Sequence, residues 1–203
     1  MKSLSLSKPH VLVMIGAPGV GKTYFAEQFA ETFKAPLVSR ERIGFEITAN
    51  PTGTKDELAI ISRIAGGQLV ELLKTQRSII IDGGADTRAD RVALRKLVRE
   101  AGYDVLYIWV QTDSATAQYR ATKQTRGSAK KALTEAEYMS RLKQFSPPGP
   151  NEKPIVISGK HTYATQVKVV LKRLVEPRVQ EADLSHQAKT ESGRAGSRQI
   201  VIR

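Results

Sequence analysis

The octet Gly16-Ala17-Pro18-Gly19-Val20-Gly21-Lys22-Thr23 fills every fixed position of the pattern G-x-x-x-x-G-K-[ST], and its setting constrains the fold more than any other feature of the chain. A five-residue apolar run, Val11 to Ile15, enters it. A helical pattern leaves it, with Phe25, Phe29 and Phe33 at four-residue spacing and Ala26 and Ala30 beside them. Strand, glycine-rich turn and helix in that order bring backbone N–H groups around a phosphate, because glycine removes the Cβ that would hold the anion away and a helix start favours negative charge. In such a loop Lys22 reaches the β- and γ-phosphates of a nucleotide, and the Thr23 hydroxyl ligates Mg²⁺.

Four further apolar runs read as strands: Pro36-Leu37-Val38, Ser78 to Ile81 ending in Asp82-Gly83-Gly84, Tyr103 to Val110, and Pro154 to Ile157. Helical patterns separate them. Thr54 to Glu57 has capping-box spacing before Leu58, Ile61, Ile64, Ala65, Leu69, Leu72 and Leu73. Thr87 and Asp90 precede Val92, Leu94, Leu97, Val98 and Ala101, with Gly102 suited to the helix end. Asp113 can cap a helix running through Arg120; Thr134-x-x-Glu137 starts another that reaches about Gln144 and stops at Pro147-Pro148-Gly149-Pro150. Thr162 to Val175 directs Val167, Val170, Leu171 and Leu174 inward. Gly66-Gly67 interrupts the second helical pattern, which points to close packing or a kink. Strands alternating with helices predict an α/β fold, a five-stranded parallel, doubly wound sheet with ligands at the carboxyl ends of its strands.

At 203 residues the chain accommodates one such domain, expected over residues 1–177, with Met1 to Lys8 loose. Residues 178–203, rich in Gln, Ser, Gly and charge, read as a flexible tail, though Ile200-Val201-Ile202 could add a strand. The absence of cysteine excludes disulfides and thiolate chemistry. The three histidines lack metal-ligand spacing, and no stretch has the length of a membrane span, so a cytoplasmic protein without a membrane partner is expected. The net charge of +12 points to a polyanionic ligand. Between Ser114 and Thr134 stand Arg120, Lys123, Arg126, Lys130 and Lys131 and no acid, either a solvated face or a lid that handles phosphate.

Asp82 closes its strand after three isoleucines, where it either holds Mg²⁺ or caps a turn. Glu41 follows the second strand, which puts it beside the phosphate loop across the top of the sheet, as a proton acceptor or as a surface acid. The octet resembles a Walker A motif. Together with Val38-Ser39-Arg40-Glu41-Arg42, Ile81-Asp82-Gly83, Arg120 and Arg126-Gly127, it makes residues 10–175 similar to the small P-loop kinases grouped with bacteriophage polynucleotide kinase and the zeta toxins. That resemblance implies the fold of the P-loop nucleoside triphosphate hydrolases with a helical lid at about residues 120–133, and ATP with Mg²⁺ as cofactors. It implies transfer of the γ-phosphoryl to a hydroxyl acceptor, whether nucleoside, nucleic-acid 5′-hydroxyl or small molecule. It further implies Glu41 as catalytic base and Arg120 and Arg126 as stabilisers of the moving phosphoryl. The family usually has Asp as base and an arginine about three residues later, where this chain has Glu41 and Gly44. The alternative is a P-loop ATPase that couples hydrolysis to a partner; no guanine-reading N-K-x-D and no second ATPase subdomain is present. A nucleic-acid-binding protein with incidental ATP affinity would use the charge, but the basic stretches lack interleaved aromatics.

Overall fold

In the computed structural model, which describes residues 8–123 and 132–175, strand and helix alternate along the chain. The elements are β1 (His10–Ile15), α1 (Lys22–Phe33), β2 (Leu37–Ser39), α2 (Arg40–Ile47), α3 (Lys55–Leu73), β3 (Ile79–Asp82), α4 (Arg88–Glu100), β4 (Asp104–Gln111), α5 (Ser114–Thr122), α6 (Glu135–Gln144), a 3₁₀ turn (Pro150–Glu152), β5 (Ile155–Ser158) and α7 (Tyr163–Val175). The strands form one parallel sheet in the order β2-β3-β1-β4-β5. This is the α/β P-loop architecture expected above. Most of the segment between α5 and α6, Arg126 included, lies outside the described residues, as do residues 1–7 and the tail from 178 onward.

The apolar runs are continuous because both faces of the sheet are covered. Val11, Val13 and Ile15 of β1 pack with Ile79, Ile81, Val105 and Tyr107 beneath α3 and α4. Leu12 and Met14 point the other way, with Ile80, Ile108 and Val110, against Phe25 and Phe29 of α1, Ala117 of α5 and Val170 of α7. Each fully buried phenylalanine of α1 contributes about 1.5–3 kcal/mol of transfer free energy.

Start signals hold locally. Thr87 with Asp90 and Thr134 with Glu137 form complete capping boxes. Thr54 accepts from the Glu57 N–H, but the Glu57 carboxylate turns back to Thr52 and Gly53 instead of Thr54.

Two expectations are corrected, and one element was not foreseen. Residues 40–47 form a helix that has no apolar periodicity to announce it, capped by Ser39, whose hydroxyl accepts from the Arg42 N–H. Val92 of α4 is 60% exposed and Arg91 takes the core position beside Leu94 and Val98, because the helix is rotated one residue from the stripe its aliphatic residues describe. Gly66-Gly67 does not mark close packing: the helix runs through the pair, and a Cβ at either position would meet nothing within 4 Å.

Candidate active site

Parallel pairing puts the carboxyl ends of β1, β2 and β3 side by side, with Asp82 in register with Met14 on one flank and Ser39 on the other. The sequence that follows each strand end therefore forms the site. From β1 the chain enters the phosphate loop and turns into α1 through Gly21, whose φ of 104° is left-handed; no side chain caps the helix and no acid occupies its first turn. The first N–H groups of α1 are thus directed into the loop without competition from a capping oxygen, the arrangement that receives an anion. Gly19 has a φ of 78°, and a Cβ there would collide with the Ala117 carbonyl of α5.

Lys22 Nζ donates to the carbonyls of Gly16 (2.6 Å) and Ala17 (2.9 Å), so its charge stands over the loop it would serve. Thr23 Oγ1 donates to Asp82 Oδ2 at 2.8 Å, with Asp82 only 5% exposed. Adjacent oxygens around an octahedral Mg²⁺ at 2.0–2.1 Å stand about 2.9 Å apart, so this pair has the spacing of two neighbouring ligands. Among the described residues no cluster of three His, Cys, Asp or Glu side chains occurs. A divalent ion here would depend on Thr23, Asp82 and the phosphates it accompanies, which is how Mg²⁺ is ordinarily held beside nucleotides. The residues present fit Mg²⁺ and a nucleoside triphosphate.

The other expected residues are distributed around this centre. Glu41 is exposed in the first turn of α2, one residue beyond the start of that helix. β3 stands between β2 and β1, so Asp82, not Glu41, is the immediate neighbour of the phosphate loop across the sheet. Gly44, where the resemblance leads to an arginine, is buried, with a Cβ there 3.2 Å from Ile61 Cδ1 of α3, tighter than an ordinary contact. Arg120 is on the opposite side of the loop, where its Nη1 donates to the Gly159 carbonyl at 3.0 Å.

Sequence reading missed the loop after β5. Lys160 pairs with Asp113 at 2.5 Å, and its hydrogen bond, with that of the Thr116 N–H, holds the Asp113 carboxyl well below the usual carboxylate range. Gly159 donates to the Gln111 carbonyl (2.8 Å) and lies so close to Val20 that a Cβ would strike the Val20 carbonyl. The rule that ligands gather at strand carboxyl ends could have singled out Ser158-Gly159-Lys160. Beside this loop a cleft of about 530 Å³ is lined by Ala17, Val20, Trp109, Thr112, Phe145 and Lys160. Thr112 Oγ1 is sheltered there with no hydrogen-bond partner among the described residues. No sequence signal distinguished Thr112.

The model of the AAA domain family matches residues 11–148, more than half of the chain. The chain belongs to the AAA domain family. Its AAA domain carries the P-loop fold of the small kinases: it aligns with a gluconokinase from Sinorhizobium meliloti 1021 at a TM-score of 0.61 and 16% identity, over 91% of this chain and 98% of that one. A sugar kinase from Janibacter sp. aligns at a TM-score of 0.60 and 19% identity, over 81% and 93% of the two chains. A chain of the Pnkp1/Rnl/Hen1 RNA repair complex aligns at a TM-score of 0.59 and 18% identity, over 73% of this chain and 46% of that one. No curated protein matches the sequence. No helix among the described residues is long and apolar enough to cross a membrane.

Proposed function

We propose that the chain is an ATP-dependent phosphotransferase that moves the γ-phosphoryl of ATP, with Mg²⁺, to a hydroxyl acceptor. The observation that carries this reading is the Thr23–Asp82 hydrogen bond beneath an uncapped helix start: hydroxyl, carboxylate, ammonium and backbone N–H groups gather around one loop. The cleft beside Thr112 and Lys160 has the volume of a nucleoside site, and the orphaned Thr112 hydroxyl offers a hydrogen bond to a base. Kinase neighbours on one side and RNA repair on the other make a sugar hydroxyl and a nucleic-acid hydroxyl the two acceptor classes to assay.

In this reading the acceptor oxygen forms a bond to the γ-phosphorus as the bond to the β-bridging oxygen breaks, and ADP leaves. Glu41 takes the hydroxyl proton. Gly16 to Thr23 hold the phosphates and Lys22 exchanges its carbonyl partners for phosphate oxygens; Thr23 and Asp82 would hold Mg²⁺, which would supply positive charge to the phosphates. Arg120 and Arg126 bring positive charge from the lid. Catalysis is then mainly positioning and electrostatics. The test is incubation with labelled ATP and a panel of nucleosides, oligonucleotides with 5′-hydroxyls, and sugars. Parent protein should label one class, and Lys22→Ala should label none while keeping the parent's circular dichroism; turnover by Lys22→Ala near the parent rate would end the kinase reading.

A further inference from the structure

Arg40, the first residue of α2, lays its side chain across the turn that ends β3. Gly83 and Gly84 both have positive φ, 92° and 80°. A Cβ on Gly84 would come within 2.5 Å of Arg40 Cζ and Nε and 2.9 Å of Nη1; one on Gly83 would approach Arg40 Cβ at 3.3 Å. Gly84 therefore lies beneath the guanidinium and Gly83 beneath the aliphatic stem of Arg40, together a bed that a side chain on either would crowd. Arg40 is half-buried on that bed, and no described residue forms an ion pair with it. Arg42, two residues on, turns outward to pair with Glu46 at 3.0 Å.

The placement is specific. Gly84 follows Asp82 by two residues, so their Cα atoms are no more than about 7.6 Å apart. The strand order sets Arg40 and Glu41 on the far side of Asp82 from the phosphate loop. The triphosphate has its own recognition in Gly16 to Thr23, which follows β1. A guanidinium held across β3 from that loop, beside the expected base, is placed for the other reactant. Its flat fork of donors matches a carboxylate or phosphate in two-point fashion.

We propose that Arg40 on its Gly83-Gly84 bed is an anion-recognition subsite, and that the acceptor carries a phosphate or carboxylate near the hydroxyl it presents. This rests on the phosphotransferase reading and narrows its acceptor. An arginine serving only to brace α2 against the β3 turn would leave acceptor preference untouched, and the experiment turns on that difference.

The full chain, with Mg²⁺ and a non-hydrolysable ATP analogue, is titrated calorimetrically with two matched pairs: a nucleoside monophosphate and its nucleoside, and a six-carbon sugar acid and its alditol. In at least one pair the anion should bind tenfold or more tightly than its neutral partner. Arg40→Met should shrink that preference by about 10- to 100-fold, the worth of hydrogen bonds to a charged group, and Arg40→Lys should restore part of it. The responding pair identifies the anion as phosphate or carboxylate. Equal or undetectable binding within both pairs, or a preference that survives in Arg40→Met, overturns the proposal; if Arg40→Met does not fold, Arg40→Gln and Arg40→Lys are read in the same way. Binding is measured without turnover, so failure here is separate from failure of Lys22→Ala to abolish transfer.

Discussion

Glu41 is the side chain on which the proposed chemistry turns, because its neighbours in the first turn of α2 include nothing else able to accept a proton. Glu41→Gln keeps shape and hydrogen-bonding reach but removes the carboxylate. Transfer should fall by about 10²- to 10⁴-fold while ATP affinity changes little, since the phosphates are held by Gly16 to Thr23. Single-turnover transfer and equilibrium nucleotide binding measured side by side check this, and a parent-like rate would make Glu41 a surface acid and Asp86 the next residue to test. At this scale the phosphate loop was legible because its chemistry demands glycines, lysine and hydroxyl at fixed spacing. Arg40 was in view only as one member of the Val38-Ser39-Arg40-Glu41-Arg42 segment. Its bed is formed by two glycines more than forty positions away, a contact that parallel pairing of β2 with β3 creates and no local pattern records.

Among the elements, those built on period and punctuation were readable and those built on tertiary contact were not. The Phe25, Phe29 and Phe33 stripe is a packed ladder with ring centroids 5.7 and 4.5 Å apart. α2 escaped notice because Arg40 to Ile47 offers only Ile43 and Gly44 to the core, and its stability comes from packing on α3. α3 tolerates its glycine pair at an intrinsic cost of about 1 kcal/mol per glycine relative to alanine. Since both positions look onto open space, Gly66→Ala and Gly67→Ala should each stabilise the fold by about 0.5–1 kcal/mol, an effect a urea titration resolves. A destabilisation would show that the pair serves a packing role outside the described residues.

Across the whole molecule, Arg91 ties regions that are distant in sequence. It is fully buried, bonds Glu152 at 2.6 and 3.0 Å, and donates to the carbonyls of Ala85 (3.1 Å) and Ser146 (2.9 Å), joining the turn after β3 to the segment between α6 and β5. Removing one member of such a pair leaves an uncompensated buried charge, so Arg91→Ala should cost about 3–5 kcal/mol in denaturant melts. The Arg91 hydrogen bond holds the Glu152 carboxyl below its ordinary 4.5. The stability this carboxylate contributes is therefore complete above that pH and is lost as pH falls through the lower folded value. Glu152→Gln should flatten the acid limb of the stability–pH curve, and an unchanged limb would show that other carboxylates set it. The packing of Gly159 under Val20 has a further consequence, in the order of the chain. The phosphate loop precedes most of what supports it: its strand is flanked by β3 and β4, and its loop is braced by Ala117 and Gly159. A chain truncated at Gln144 keeps the complete motif and Ala117 but loses β5 and Gly159, and should bind ATP far more weakly than the full chain in a filter assay. The proposed nucleotide site is thus complete in sequence well before it is complete in structure.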